Sequence, residues 1–235
     1  MSDPLVLLPG LACDYAVWEG VAAALPGVET QVIDYGAASS LEAMAAIALA
    51  EAPPRFALAG HSMGGRVAME VIRQAPARVT RVALLNTGFR PLADGEAGER
   101  EVAGRMRLVE LAQRAGTAAM AREWVQGMVH PDRQQETSLI ESIIAMMARK
   151  TPAEFAAQIE ALIHRPDATP VLSGLRIPCL LMSGSHDSWS PLSQHEEMAE
   201  YARRARVVAI ADAGHMAPME KPEAVATELA AWLAA

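Results

Sequence analysis

The chain has 235 residues, 51% hydrophobic and 20% charged, which is the composition of a globular, core-forming protein and excludes a mainly disordered one. Its net charge of −8 argues against nucleic acid or an anionic membrane as the main partner, because both demand a basic surface. Two cysteines, Cys13 and Cys179, are too few for a disulfide framework and lack the spacing of a zinc site, so no metal is expected.

The first residues, Met1-Ser2-Asp3-Pro4, carry no basic region, and the apolar run after them breaks at Pro9-Gly10, unlike a signal peptide. No stretch approaches the roughly 18 uninterrupted apolar residues of a membrane span. A cytoplasmic protein of a reducing compartment is expected. Leu5-Val6-Leu7-Leu8 reads as a buried strand, and Trp18 to Leu25 as a helix stopped by Pro26-Gly27. Thr30 to Asp34 is a second strand. Ser40 caps a helix from Leu41 to Glu51, which ends before Pro53-Pro54. Phe56–Ala59 is a third strand, Met63–Gln74 a long helix and Val82–Asn86 a fourth strand. Cys179–Met182 and Val207–Ile210 complete six strands, with a helix near Pro191–Arg203 between them and a last one from about Pro222 to Leu233.

Continuously apolar strands alternating with helices predict an α/β fold: a mostly parallel, doubly wound sheet of about six strands. The stretch from 89 to 175 breaks the alternation. It is charged and helical, with helices expected over Glu96–Ala115, Thr117–Met128, Gln134–Lys150 and Pro152–Ile163. The expected division is a catalytic core of residues 1–88 and 176–235 with a helical lid, 89–175, inserted between two strands.

The sharpest motif is Gly60-His61-Ser62-Met63-Gly64-Gly65, a G-x-S-x-G placed directly after a strand and before a helix. A chain turning that sharply holds its middle residue in strained φ/ψ and needs neighbours without side chains. Ser62 is thereby presented at the C-terminal edge of the sheet. A serine nucleophile needs a base, and the base needs an orienting carboxylate. His215, in Ala213-Gly214-His215-Met216 after the last strand, stands at that edge. His61 adjoins the serine and is expected to point away from it. His130, His164 and His195 fall in helical regions, where a solvated surface role is expected, and His186 is a candidate for lining the site. Among Asp34, Asp132, Asp167, Asp187 and Asp212, the best orienting acid is Asp187, which follows the fifth strand. Asp34 and Asp212 read better as loop carboxylates. The order Ser62, Asp187, His215 is the Ser–acid–His order of one fold.

Leu8-Pro9-Gly10-Leu11, Gly60-His61-Ser62-Met63-Gly64-Gly65, Gly184-Ser185-His186-Asp187 and Ala213-Gly214-His215 followed by Glu220-Lys221-Pro222-Glu223 occur in the order of the α/β-hydrolase superfamily, which nearly the whole chain resembles. Asn86-Thr87-Gly88-Phe89-Arg90-Pro91 and Arg165-Pro166-Asp167 look like a group of small bacterial hydrolases. Two departures stand out. The superfamily usually opens with two antiparallel strands for which there is no room before Leu5, and Pro9 stands where many relatives carry histidine.

The resemblance implies a cofactor-free serine hydrolase with backbone oxyanion donors at Leu11 and Met63. It implies a small-molecule ester or related acyl substrate, with no nucleic acid or membrane partner. Alternatives keep the same residues for C–C bond hydrolysis or lyase chemistry on an anionic substrate, or for a ligand receptor on a hydrolase scaffold. Arg66, one helical turn after Ser62, resembles the arginine in the Gly-Gly-Arg of menaquinone-pathway synthases of this fold, which handle anionic substrates. Its bland reading is a structural ion pair. Cys13, beside the oxyanion loop, reads as small-apolar packing. Met106, Met120, Met128, Met146 and Met147, with Trp124 and Phe155, are candidates for an acyl pocket or for lid core. With 13 methionines and only 4% aromatics, a pocket lined mainly by Met, Leu and Ile is expected, with Trp124 and Met128 as substrate contacts.

Overall fold

Residues 3–235 are described by the computed structural model. Six strands, β1 (Leu5–Leu8), β2 (Thr30–Val32), β3 (Phe56–His61), β4 (Val79–Leu85), β5 (Cys179–Gly184) and β6 (Ala205–Ile210), form one sheet in the order β2-β1-β3-β4-β5-β6. Every pairing is parallel. The order reverses between β1 and β3, where Leu8, the last residue of β1, is the register partner of Gly60, the next to last of β3. Loops leaving two such neighbours in opposite senses open a crevice at the C-terminal edge. The turn after β1 and the turn into Ser62 therefore emerge side by side.

Parallel strands need crossovers, and here α1 (Ala16–Ala23), α2 (Leu41–Glu51), α3 (Met63–Gln74) and α9 (Leu192–Tyr201) supply them. The Ser40 hydroxyl accepts from Ala43 N at 3.1 Å, the cap expected there. The chain ends with α10 (Ala217–Glu220) and α11 (Pro222–Ala234), and α11 packs on α1. Strands β1, β3 and β5 are buried throughout, whereas the edge strands β2 and β6 are only partly buried. An edge strand has no neighbour on its outer side, which leaves β2 and β6 more open than the central strands. Neither α10 nor the short α8 (Thr169–Gly174) was foreseen, since each is brief and begins with a proline in its first turn.

Between β4 and β5 run α4 (Glu96–Ala115), α5 (Thr117–Trp124), α6 (Thr137–Ala148), α7 (Pro152–Ile163) and α8. Two of the expected helices are shorter. After Trp124 the chain passes into a 3₁₀ turn, Val125–Gly127, and α6 starts only at Thr137, after a second such turn at Pro131–Arg133. Thr151 and Glu154 form a reciprocal capping box at the start of α7. Ion pairs fasten the end of α6 to the first loops of the core: Arg149 Nε to Asp14 Oδ2 at 2.6 Å, and buried Lys150 to Asp34. Among the described residues no helix is long and apolar enough to cross a membrane.

Candidate active site

Ser62 sits between β3 and α3 with φ 54° and ψ −116°, a left-handed conformation that costs a side-chain-bearing residue about 1–3 kcal/mol. The turn is possible because its neighbours are bare. A Cβ on Gly60 would lie 2.2 Å from Gly64 O, and one on Gly64 would lie 2.1 Å from Leu8 O. Backbone and side chain hold the strain in place: Ser62 N donates to Leu85 O at 2.8 Å, and the Thr87 hydroxyl donates to Ser62 O at 2.7 Å.

The loop after β6 brings His215 Nε2 to 2.8 Å from Ser62 Oγ, and His215 Nδ1 donates to Asp187 Oδ2 at 2.9 Å. That pairing leaves Nε2 without its proton and able to accept the serine hydroxyl. Asp187 is buried and takes further hydrogen bonds from Asn86 Nδ2, Trp189 N and Ser190 N at 2.9, 2.9 and 3.0 Å. Burial alone would raise its carboxyl, but His215 beside it, with the Asn86 and Ser190 bonds, holds it well below the usual carboxylate range. The His215 loop is anchored by Glu220. That buried carboxylate, pushed upward by its burial, accepts from His130 N at 2.7 Å and Gly214 N at 2.8 Å.

His61 turns away from Ser62 Oγ and donates from Nε2 to the carbonyl of His215 at 2.8 Å. Burial and the neighbouring His215 push its imidazole down to about 3, so it is neutral at working pH. Its Nδ1 is buried and unpartnered, and a Cβ on Gly10 would lie 3.0 Å from it. Gly10 is thus bare because the loop after β1 lies against the His61 ring. Within that loop the Leu11 amide, like the Met63 amide at the start of α3, donates to no acceptor among the described residues. Cys13 is buried beside Leu11, its thiol pushed up to about 12 by burial and by Asp14. Such a thiol is inert.

These groups open onto one cavity of about 660 Å³. Trp124, Met128 and Arg66 line it, together with Met147. His186 does not: it is exposed, bonded to Ser185 Oγ at 2.9 Å and packed on His130, because its amide is drawn to Ala213 O and its side chain is thereby turned outward. Met120, Met146 and Phe155 are buried away from the cavity, and Met106 is exposed. Of the expected aliphatic lining, Leu108, Ile159, Leu162 and Met216 border the cavity with Met128 and Met147, but charged and aromatic residues that the sequence reading did not include join them. Arg66, Arg105, Arg107 and Arg165 face the cavity with Glu101, and Trp124 is joined there by Trp189. Polar residues at helical spacing look alike in sequence whether they face solvent or a cavity, and a tryptophan in a short loop has no periodicity to mark it.

Charge at this wall is unbalanced. Glu101 takes two bonds from Arg165, at 2.6 and 2.8 Å, and one from Arg105 Nε at 2.9 Å. Despite partial burial, which would raise it, these two guanidiniums hold the Glu101 carboxyl at about 2. Arg66 donates to Arg90 O at 2.9 Å and pairs with no carboxylate among the described residues. Burial, then Arg165 and Arg105, push it down to about 9.

The remaining candidates lie elsewhere. Asp34 pairs with Lys150 and caps Gly36 N at 2.9 Å. Asp212 is exposed, 4.0 Å from Lys221. His195 corrects the surface expectation, being fully buried, donating from Nδ1 to Pro191 O and accepting from Thr87 N at 3.2 Å. His130 is likewise buried, held by Glu220.

A model of the alpha/beta hydrolase family matches residues 5–228. A pimeloyl-[acyl-carrier protein] methyl ester esterase of Nitrosomonas europaea is 26% identical over 93% of this chain and 91% of its own length. The 2-succinyl-6-hydroxy-2,4-cyclohexadiene-1-carboxylate synthase of Salmonella agona is 26% identical over 97% and 93%. Among solved structures, a thermophilic esterase of Thermogutta terrifontis, determined with malate bound, superposes with a TM-score of 0.85 at 28% identity, covering 100% of this chain and 90% of that one.

Proposed function

The chain belongs to the alpha/beta hydrolase family, and on that premise we propose that it is a serine hydrolase that cleaves small carboxylic esters. Ser62 is the nucleophile, His215 the base and Asp187 the orienting acid. One observation carries the reading: the unbroken line from Ser62 Oγ to His215 Nε2, at 2.8 Å, and from His215 Nδ1 to Asp187 Oδ2, at 2.9 Å, beside two unengaged amides. The esterase activity of the Nitrosomonas europaea and Thermogutta terrifontis relatives supports it.

In this mechanism His215 takes the Ser62 proton as Oγ attacks the ester carbonyl, and Asp187 steadies the imidazolium. The Leu11 and Met63 amides receive the negative oxygen, each contributing roughly 3–4 kcal/mol to the transition state. His215 returns the proton to the departing alkoxide, leaving an acyl-Ser62. Water activated by the same histidine then releases the acid. Helices α4–α8 act as a lid, and Arg66, Trp124 and Met128 contact the substrate. The test is turnover of short-chain esters by wild type and Ser62→Ala. Loss of turnover in the variant supports an enzyme and removes the receptor reading; equal turnover in both removes Ser62 from the mechanism.

A second reading is favoured by Arg66, a cavity arginine without a carboxylate partner. The same machinery would then act on an anionic substrate, in C–C hydrolysis or lyase chemistry, as the name of the Salmonella agona relative suggests for that protein. Activity on an anionic diene or ketone, lost in Arg66→Ala, would favour it.

A further inference from the structure

Trp189 stands in the turn after Asp187, and no step above uses its side chain. Its amide donates to Asp187 Oδ1, so the turn that holds the carboxylate also fixes where the indole begins. The indole reaches His215, with ring centroids 4.9 Å apart and planes at 50°. It is also stacked on Trp124 of α5, at 5.4 Å and 18°. At its edge lies Gly127, where an added Cβ would come within 3.1 Å of the ring. Two of the chain's four tryptophans thus meet beside the general base. Trp189 is still 39% exposed, so it stands at the rim of the cavity and not in the core.

The chemistry says which part of a substrate meets this indole. When the C–O bond breaks, the proton on His215 Nε2 passes to the alkoxide oxygen and the alcohol leaves. The carbons of that alcohol therefore extend past the imidazole, into the space that Trp189 borders. The indole is held from one side by the stacked Trp124 ring and from another by the tilted His215 ring, so it stands as a fence along that space. Gly127 and Trp124 keep the fence from swinging aside. We infer that Trp189, braced by Trp124, restricts the leaving alcohol to a small one of one or two carbons. The inference rests on the ester-hydrolase reading of Ser62 and adds to it the size of the alcohol.

Methyl, n-butyl and benzyl butyrates test it, because all three give the same acyl-enzyme and differ in kcat/KM only through acylation. Wild type is expected to favour the methyl over the n-butyl ester by about tenfold or more, and Trp189→Ala to bring the two within about threefold. Benzyl butyrate is expected to follow the n-butyl ester. Trp189→Phe is expected to keep most of the preference. Trp124→Leu, which leaves every hydrogen bond to Asp187 in place, is expected to shift the ratio in the direction of Trp189→Ala. Titration with a fluorophosphonate counts intact sites in each variant, and if Trp189→Ala does not fold, the Trp124→Leu ratio decides. An unchanged ratio overturns the inference, and so does an equal loss on all three esters, which would make Trp189 only a support for Asp187. Wild type that turns over none of the esters overturns the hydrolase reading, and this inference with it; turnover with a flat ratio overturns this inference alone.

Discussion

Asn86 Nδ2 lies 2.9 Å from Asp187 Oδ2, the oxygen that also accepts from His215 Nδ1, and 3.2 Å from Gly214 O. One amide at the end of β4 thus ties the carboxylate to the loop that carries His215. Asn86 is fully buried and holds φ at 48°, a conformation that asparagine tolerates better than most residues. Asn86→Ala leaves two buried acceptors short of a donor, which costs about 1–3 kcal/mol. A lower urea midpoint is expected, with kcat reduced by about tenfold and KM nearly unchanged, as for a residue that positions the base without touching substrate. Stability loss without a fall in kcat would assign Asn86 to packing alone.

Gly64→Ala is expected to be among the most damaging single changes in the chain. The new methyl group would sit 2.1 Å from Leu8 O, at the end of β1, and 2.6 Å from Pro9 O, in the loop that follows, both backbone atoms. Overpacking of that kind costs about 3 kcal/mol or more. Recovery of little soluble protein, or a large fall in Tm, is the expected result, whereas Gly174→Ala, with nothing within 4 Å, serves as the control.

Acid should destabilise the fold partly through Glu101. Its carboxyl is lowered from 4.5 to about 2 in the folded chain by Arg165 and Arg105, against the upward pull of burial. Between pH 4.5 and 2 the unfolded chain therefore binds more protons at this site, so the stability it confers is complete above 4.5 and lost as pH falls toward 2. In urea titrations from pH 6 to 3, Glu101→Gln is expected to show a shallower fall in stability than wild type. Parallel curves would remove Glu101 from the acid response.

Arg66 is expected to trade stability for function. Burial, then the neighbouring Arg165 and Arg105 guanidiniums, push it downward, which means that its charge is unfavourable in the fold. Arg66→Met is expected to raise Tm, by a similar amount at pH 7 and pH 9, since a guanidinium keeps its charge across that range. A lower Tm would mean that the bond to Arg90 O outweighs the repulsion.

Much of this arrangement was legible in the chain because each element carried its own local signal. Gly60, Gly64 and Gly65 mark a turn that no side chain fits, and Ser40 marks a helix start that the backbone then uses. Long apolar-periodic helices such as α3 and α7 were read to the residue. The unread parts depend on partners far along the chain. Asn86 acquires its position from Asp187, 101 residues away, and His195 its buried place from Thr87, 108 residues away. Arg105 and Arg165 face the cavity because Glu101 gathers them, which no pattern within α4 announces. Neighbours in sequence also misled: His186 adjoins Asp187, yet its ring lies outside on His130.

The central claim is that Ser62 is a nucleophile activated by His215. Labelling with a fluorophosphonate probe, followed by peptide mass spectrometry, tests it most directly. The predicted result is a single phosphonylated peptide carrying Ser62, with the adduct absent in Ser62→Ala and formed far more slowly in His215→Ala. Folded wild-type protein that hydrolyses esters yet leaves Ser62 unmodified would contradict it.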